Sequence, residues 1–149
     1  MKPTNNEEFD INKIKVPRTI DGTIMEGIAI VLLIVAWVIS LARHQFAGEA
    51  GEEVLISAII TSGSVLLLLF CSHFVWFNKN AQKLRNMHQV MLTVRMNRVL
   101  AIEFALGTLF NSLTDNLIKS HPVLVLAYCF FIVITGIFFT FLIHKAKYD

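Results

Sequence analysis

Glu103 is the residue whose type and position in this sequence most clearly suggest chemistry. It interrupts an otherwise apolar run that reads Leu-Ala-Ile-Glu-Phe-Ala from position 100. An acid near the middle of a membrane-spanning helix costs on the order of 3 kcal/mol, so it is expected to face the interior of a helix bundle and to have a partner there. Glu103, Gly107 and Asn111 recur four residues apart, which places all three on one face of a helix.

The preceding apolar run carries a second polar stripe whose spacing matches the first. Ser57, Thr61 and Ser64 recur at intervals of four and three residues. Together the two stripes could bind a proton or a small cation, or they could serve only as hydrogen-bonding contacts between helices. We favour the structural interpretation, because no second carboxylate is evident at that depth to complete a proton relay with Glu103.

Two further ionisable residues lie near the ends of the apolar runs. His73 is in the inner third of the second run, where it could pair with Glu103 or pack as a neutral side chain, and packing is the commoner use of a single histidine. Glu26 closes the sequence Thr23-Ile-Met-Glu, which has the form of a capping box at a helix start. We therefore interpret Glu26 as a helix-capping residue.

The sequence carries none of the residue patterns typical of enzymes or metal sites. It contains no nucleophile elbow, zinc-protease motif, phosphate-binding loop or dinucleotide fingerprint. The two cysteines, Cys71 and Cys129, are expected at heights that differ by roughly 15 Å, which is too far for a disulfide. We expect no catalytic residues, no metal ligands and no cofactor.

The elements that must position these side chains follow from the composition. The chain has 149 residues, of which 55% are hydrophobic and 16% charged, whereas an ordinary soluble domain is about 25% charged. Four apolar runs are long enough to cross a bilayer, at about 23–41, 54–77, 94–113 and 122–143. Because a helix satisfies its own backbone hydrogen bonds in lipid, the predicted fold is an all-α integral membrane protein: one four-helix bundle over residues 1–149.

The beginning of the third run is ambiguous, because two arginines precede its apolar part. A helix starting after Arg98 would reach only about 22 Å, short of the roughly 30 Å hydrocarbon core. We therefore expect the helix to include Arg98, with Arg95 near its start, and the long arginine side chains to extend to the lipid headgroups.

Lysine and arginine are divided unequally among the connections. Of the 13 basic residues, 11 lie in the N-terminal tail, the loop after the second run, the start of the third run or the C-terminal tail. The other two connections hold one each, Arg43 and Lys119. Because positively charged loops remain on the cytoplasmic side, both termini and the middle loop are predicted to be cytoplasmic.

The segment 80–94, on the predicted cytoplasmic side, is amphipathic. Its apolar residues recur at helical spacing, with basic residues on other faces. We interpret it as an interfacial extension of the third span that lies on anionic headgroups. The segment contains the basic residues Lys83 and Arg85, and the basic residues Arg95 and Arg98 follow it. A docking helix for a cytoplasmic partner is the alternative.

Residues 15–113 show a characteristic order of elements. An anchor helix is followed by a short outer loop, a second span and a basic helix that leads into a third span. The basic helix begins Asn-Lys-Asn-Ala-Gln-Lys-Leu-Arg at position 78, and the outer loop reads Arg-His-Gln-Phe-Ala-Gly from position 43. This order resembles the small multi-pass membrane domain of Sdp-type toxin-immunity proteins and related bacterial membrane proteins of unknown function. That family's outer loop usually carries a proline, a nearby His-Phe pair and a glycine, whereas this chain has no proline there and has one residue between His44 and Phe46. The resemblance implies a role in immunity or toxin sequestration.

These observations predict a non-enzymatic protein of the bacterial inner membrane. We expect it to act as a binding, scaffold, accessory or immunity-like factor, with the lipid bilayer and another membrane protein or itself as partners. The net charge of +2 gives no case for nucleic-acid binding. The alternative is an oligomeric transporter or channel for protons or small cations that uses Glu103.

Overall fold

The computed structural model describes residues 15–47, 49–75, 84–114 and 120–147. These residues form four helices: α1 (Ile20–Ala47), α2 (Glu49–His73), α3 (Met87–Leu113) and α4 (Pro122–Lys145). The described part of the chain contains no strand. The all-helical class predicted from the apolar runs is confirmed.

Three of the helices are long and apolar enough to cross a membrane. The qualifying segments are Ile20–Phe46, Glu52–His73 and Pro122–Lys145. Helix α3 is long enough to cross a membrane, but it carries Arg95, Arg98 and Glu103 and is more polar than the other three helices. Membrane crossing by α3 stays a prediction.

Helix α3 runs parallel to α1 and is held in one register along its length. The contacts Glu26–Arg98 and Ser40–Ser112 both join residues that are 72 apart in the chain. A constant separation is the signature of two parallel helices, since each step along one is matched by the same step along the other.

Helices α2 and α4 run in the opposite direction. On α2, Ser62 meets Trp37 of α1, and farther along the chain His73 meets Glu26 near the start of α1. Helix α4 meets α3 through Tyr128 near its start and through Ile143 near its end. The chain therefore runs up, down, up and down.

Helix α3 occupies the centre of the bundle and contacts all three other helices. Small side chains permit this close packing. One buried cluster brings together α1, α2 and α3 and is formed by Ala29, Leu33, Val65, Leu69, Ala101 and Ala105. By contrast α4 packs mainly against α3, and Phe139 is its only buried residue.

The observed start of α1 corrects one interpretation that was made from the sequence. Helix α1 begins at Ile20, and the Thr19 hydroxyl accepts a hydrogen bond from the Gly22 backbone N–H at 3.2 Å. Thr23 is therefore already inside the helix, where its hydroxyl donates to the Thr19 carbonyl. The capping box predicted at Thr23 is wrong, because the helix extends one turn farther back, and Glu26 is left available for another contact.

The amphipathic segment is continuous with α3 from Met87 onward. The Asn86 side chain accepts a hydrogen bond from the Gln89 backbone N–H at 2.8 Å and so caps the helix start. Arg95 and Arg98 consequently lie within α3. Residues 80–83 of the same segment lie outside the described part of the chain.

Candidate functional site

An ionic cluster joins α1, α2 and α3 near one end of the bundle. The Arg98 Nε donates to Glu26 Oε1 at 2.8 Å, and the other carboxylate oxygen of Glu26 lies 3.2 Å from His73 Nε2. The side chains of Arg98 and Glu26 are 6% and 18% exposed. Burying a charge is costly unless it is paired and hydrogen-bonded, so this cluster is a strong constraint on how the three helices pack.

This arrangement differs from what the sequence suggested for Arg98 and His73. Arg98 was expected to extend toward lipid headgroups, whereas its side chain is buried and directed to Glu26. His73 pairs with Glu26 and does not reach Glu103. Both differences have one cause: the parallel register of α1 and α3 brings an acid beside Arg98 at the depth where α2 ends.

Arg95 has a weaker pairing. Its Nη2 lies 4.0 Å from Asp21 Oδ2, and both side chains are more than half exposed. Exposed pairs of this kind contribute at most about 1 kcal/mol. Arg85 is also exposed, and it is the backbone N–H of this residue that donates to Gln89 Oε1. Lys83 lies outside the described residues.

A second polar cluster surrounds Glu103 and connects α3 to α4. The Thr135 hydroxyl donates to Glu103 Oε1 at 2.7 Å, and the Tyr128 hydroxyl donates to the Glu103 backbone carbonyl at 2.6 Å. Gly107 makes this approach possible, because the Tyr128 ring occupies the space that a Cβ at position 107 would fill. Glu103 is thus a contact point between two helices.

One oxygen of this carboxyl group has no hydrogen-bond partner among the described residues. In the described part of the chain, two buried side-chain atoms have no hydrogen-bond partner: Glu103 Oε2 and Asn97 Nδ2. Leaving a buried polar group unpaired costs free energy, so each of these atoms is a position where a ligand proton or oxygen would be favoured.

Among the described residues, no hydrogen bond joins the polar stripe predicted on α2 to the Glu103 stripe. Thr61 donates to the Ser57 carbonyl at 2.8 Å, and the exposed Ser64 donates to the Ile60 carbonyl at 3.3 Å. These hydroxyls are satisfied within their own helix, which is a common alternative for serine and threonine in helices. Ser62, which is not part of the predicted stripe, does make a hydrogen bond to another helix, since it accepts from Trp37 Nε1 at 2.8 Å.

The opposite end of the bundle has its own polar contact. The hydroxyls of Ser40 and Ser112 are 2.7 Å apart, and Arg43 Nη1 donates to the Ser112 carbonyl at 3.0 Å. Asn111, the last member of the predicted Glu103 stripe, directly precedes Ser112 in the sequence and is half-buried. Residues of this end therefore tie α1 to α3 a second time.

No metal centre is formed by the described residues. No group of three or more His, Cys, Asp or Glu side chains lies close enough to hold an ion there. Cys71 and Cys129 are both free, the first half-buried and the second exposed. The absence of a cofactor stays a prediction.

Sequence reasoning missed Tyr128 and Thr135, although a signal was present. They are seven residues apart in α4, so they lie on one helix face. In a helix as apolar as α4, two polar side chains on one face mark the side that meets a neighbouring helix. That face is the one in contact with Glu103.

Comparisons with models of protein families, with curated protein sequences and with solved structures gave no match to this chain.

Proposed function

We propose that the chain is a four-span integral membrane protein of the bacterial inner membrane, with both termini in the cytoplasm. Length and composition support the spans of α1, α2 and α4. The support for α3 is its register with α1: the contacts at Glu26 and Ser40 are fourteen residues, about 21 Å, apart along the helix. Helix α3 accompanies α1 over most of a hydrocarbon core roughly 30 Å thick.

The charges of α3 are compatible with this placement. Ionisable side chains are tolerated in a membrane when they face the bundle interior and are paired. Arg98 has Glu26, and Glu103 has the Thr135 hydroxyl. A helix too polar to face lipid can cross the membrane at the centre of a bundle, where three apolar helices surround it.

Topology reporters test the span count and the orientation together. A reporter that is active only outside the cytoplasm is expected to be inactive when fused after Asp149 and active when inserted within residues 45–52. The reason is the 11-to-2 division of basic residues between the two sides. A reporter active outside at the C-terminus would contradict the four spans or their direction.

We further propose that the protein is non-enzymatic and acts by binding another membrane component along α4, as a scaffold, accessory or immunity-like factor. One observation carries this proposal: α4 packs mainly against α3 and buries only Phe139. The outer side of α4 is an open and almost wholly apolar surface, formed by Val123, Leu126, Ala127, Cys129, Phe130 and Val133. The partner that fits is a further apolar transmembrane helix.

Site-specific photocrosslinking in native membranes tests this proposal. A benzophenone amino acid in place of Phe130 of α4 is expected to give adducts with protein. The matched control is the same replacement of Ile60 on α2, since both positions are 66% exposed. Because α2 packs against both α1 and α3, Ile60 is expected to meet lipid and give no protein adduct.

The identity and position of the adducts decide the outcome. An adduct of twice the mass of the chain identifies a second copy as the partner, and an adduct of another mass identifies a different protein. Equal labelling from Phe130 and Ile60, or no protein adduct from Phe130, contradicts docking along α4.

Transport of protons or small cations by an oligomer is the second candidate function. The observation in its favour is the buried Glu103 Oε2, which has no hydrogen-bond partner in the described part of the chain. Against it stands the bond from Thr135, which gives the same carboxyl group a structural task. Substitution of Glu103 separates the two functions.

A further inference from the structure

A cavity of about 220 Å³ opens between the start of α1 and the first half of α3. Its α3 side carries three groups that can bear positive charge, His88, Arg95 and Arg98. Its α1 side is the amino end of that helix, with Thr19 and Gly22 in the lining. Methionine and leucine side chains close the remainder, so the cavity combines cationic groups with an apolar floor.

Arg98 is the buried element of this cavity. Its side chain is 6% exposed and makes its hydrogen bond to Glu26 through Nε, while Nη1 packs over Gly22. A guanidinium carries five N–H donors arranged for planar recognition of carboxylate or phosphate. Among the described residues, the Arg98 side chain makes one hydrogen bond, the bond from Nε to Glu26. Its Nη donors are therefore available to a ligand in the cavity.

Two further features favour an anion over a cation. Among the described residues Arg95 is paired with Asp21 alone, at 4.0 Å and in an exposed position, so it can turn toward a ligand at little cost. At the start of α1 the backbone N–H groups of Gly22 and Thr23 are already bonded to Thr19, so the attraction for an anion there comes from the partial positive charge of the helix dipole. Asp21 opposes this as the acid in the cavity lining, and its exposure limits the opposition through screening by solvent.

The position of the cavity relates it to the membrane surface. Arg98 is level with Glu26 on α1 and with His73, the last residue of α2. The apolar spans therefore begin and end within about one to two turns of the cavity, and that is the depth at which lipid phosphates lie. Phosphate is also an anion that arginine binds through strong, frequently bidentate hydrogen bonds.

We infer that this cavity binds a phosphate group, and that a phospholipid headgroup supplies it. The lipid source rests on the membrane placement proposed above, whereas binding of phosphate itself requires only the folded bundle. Failure of the topology test and failure of this inference are therefore distinguishable.

The test uses the full chain purified in a nonionic detergent, with thermal stabilisation as the measure of binding. The probes are phosphatidylglycerol at low mole fraction, phosphatidylcholine, glycerol 3-phosphate and inorganic phosphate. We expect phosphatidylglycerol to stabilise the protein. The variant Arg95→Gln should weaken this binding about tenfold, which corresponds to one lost charge-assisted hydrogen bond.

The matched control is Arg85→Gln, which removes the same charge from an exposed arginine outside the cavity lining. Its binding should change less than about twofold, since a general electrostatic effect is weak in a neutral micelle. The variant Asp21→Asn should bind phosphatidylglycerol more tightly, because it removes the acid that opposes the anion.

Each outcome decides the inference. Stabilisation by glycerol 3-phosphate or inorganic phosphate but not by phosphatidylglycerol supports the phosphate site and assigns it a soluble ligand. Equal losses for the Arg95 and Arg85 variants, or no stabilisation by any of the probes, overturn the site.

Discussion

Replacing Arg98 by Met is expected to lower the free energy of unfolding by about 3 kcal/mol, because it leaves the Glu26 carboxylate buried without its cationic partner. Arg98 and Glu26 are 6% and 18% exposed, so solvent can replace little of the lost interaction. The bond from His73 to Glu26 compensates only in part, since His73 is 46% exposed at the end of its helix. Unfolding of the detergent-purified protein by a denaturing detergent measures the change.

Two further variants separate the ion pair from a general effect of removing an arginine. Arg95→Met removes the exposed pair with Asp21 and is expected to cost less than about 1 kcal/mol. The double variant Glu26→Gln with Arg98→Met is expected to recover most of the lost stability, because no buried charge is then left alone. If Arg98→Met were no more harmful than Arg95→Met, the cluster would not hold the three helices together.

The helices could be predicted from the sequence because the signal is local. Long apolar runs are sufficient to define α1, α2 and α4, and the prediction that α3 must extend back through Arg98 follows from the thickness of a bilayer. The same reasoning places Glu103 in the bundle interior, where it is 7% exposed.

The partners of these side chains could not be predicted, because they depend on how the helices are rotated and aligned against each other. Glu26 and Arg98 lie 72 residues apart, and only the parallel register of α1 and α3 brings them together. Glu103 was matched with the polar stripe of α2 because the spacings agreed, yet its partner Thr135 is on α4. Spacing shows which residues share a face, and it does not show which helix that face meets.

The substitution of Glu103 has the second-largest expected effect and bears directly on function. Glu103→Gln is expected to leave stability within about 0.5 kcal/mol of the native protein, because the amide oxygen can still accept from Thr135. Glu103→Leu removes that acceptor and is expected to lower stability by roughly 0.6–2 kcal/mol, loosening α4 from α3. Unfolding in detergent measures both changes.

Ion flux into liposomes, measured on the same two variants, distinguishes a structural carboxyl group from a transport site. Gln retains the size and hydrogen-bonding capacity of Glu but cannot take up or release a proton. A transport site would therefore lose flux in Glu103→Gln while the protein remained folded and inserted. If Glu103 only joins helices, neither the native protein nor the Gln variant should carry a proton or cation current above that of empty liposomes. We expect the second result, since Thr135 and Tyr128 already direct the hydrogen bonds of this cluster toward holding α4 in place.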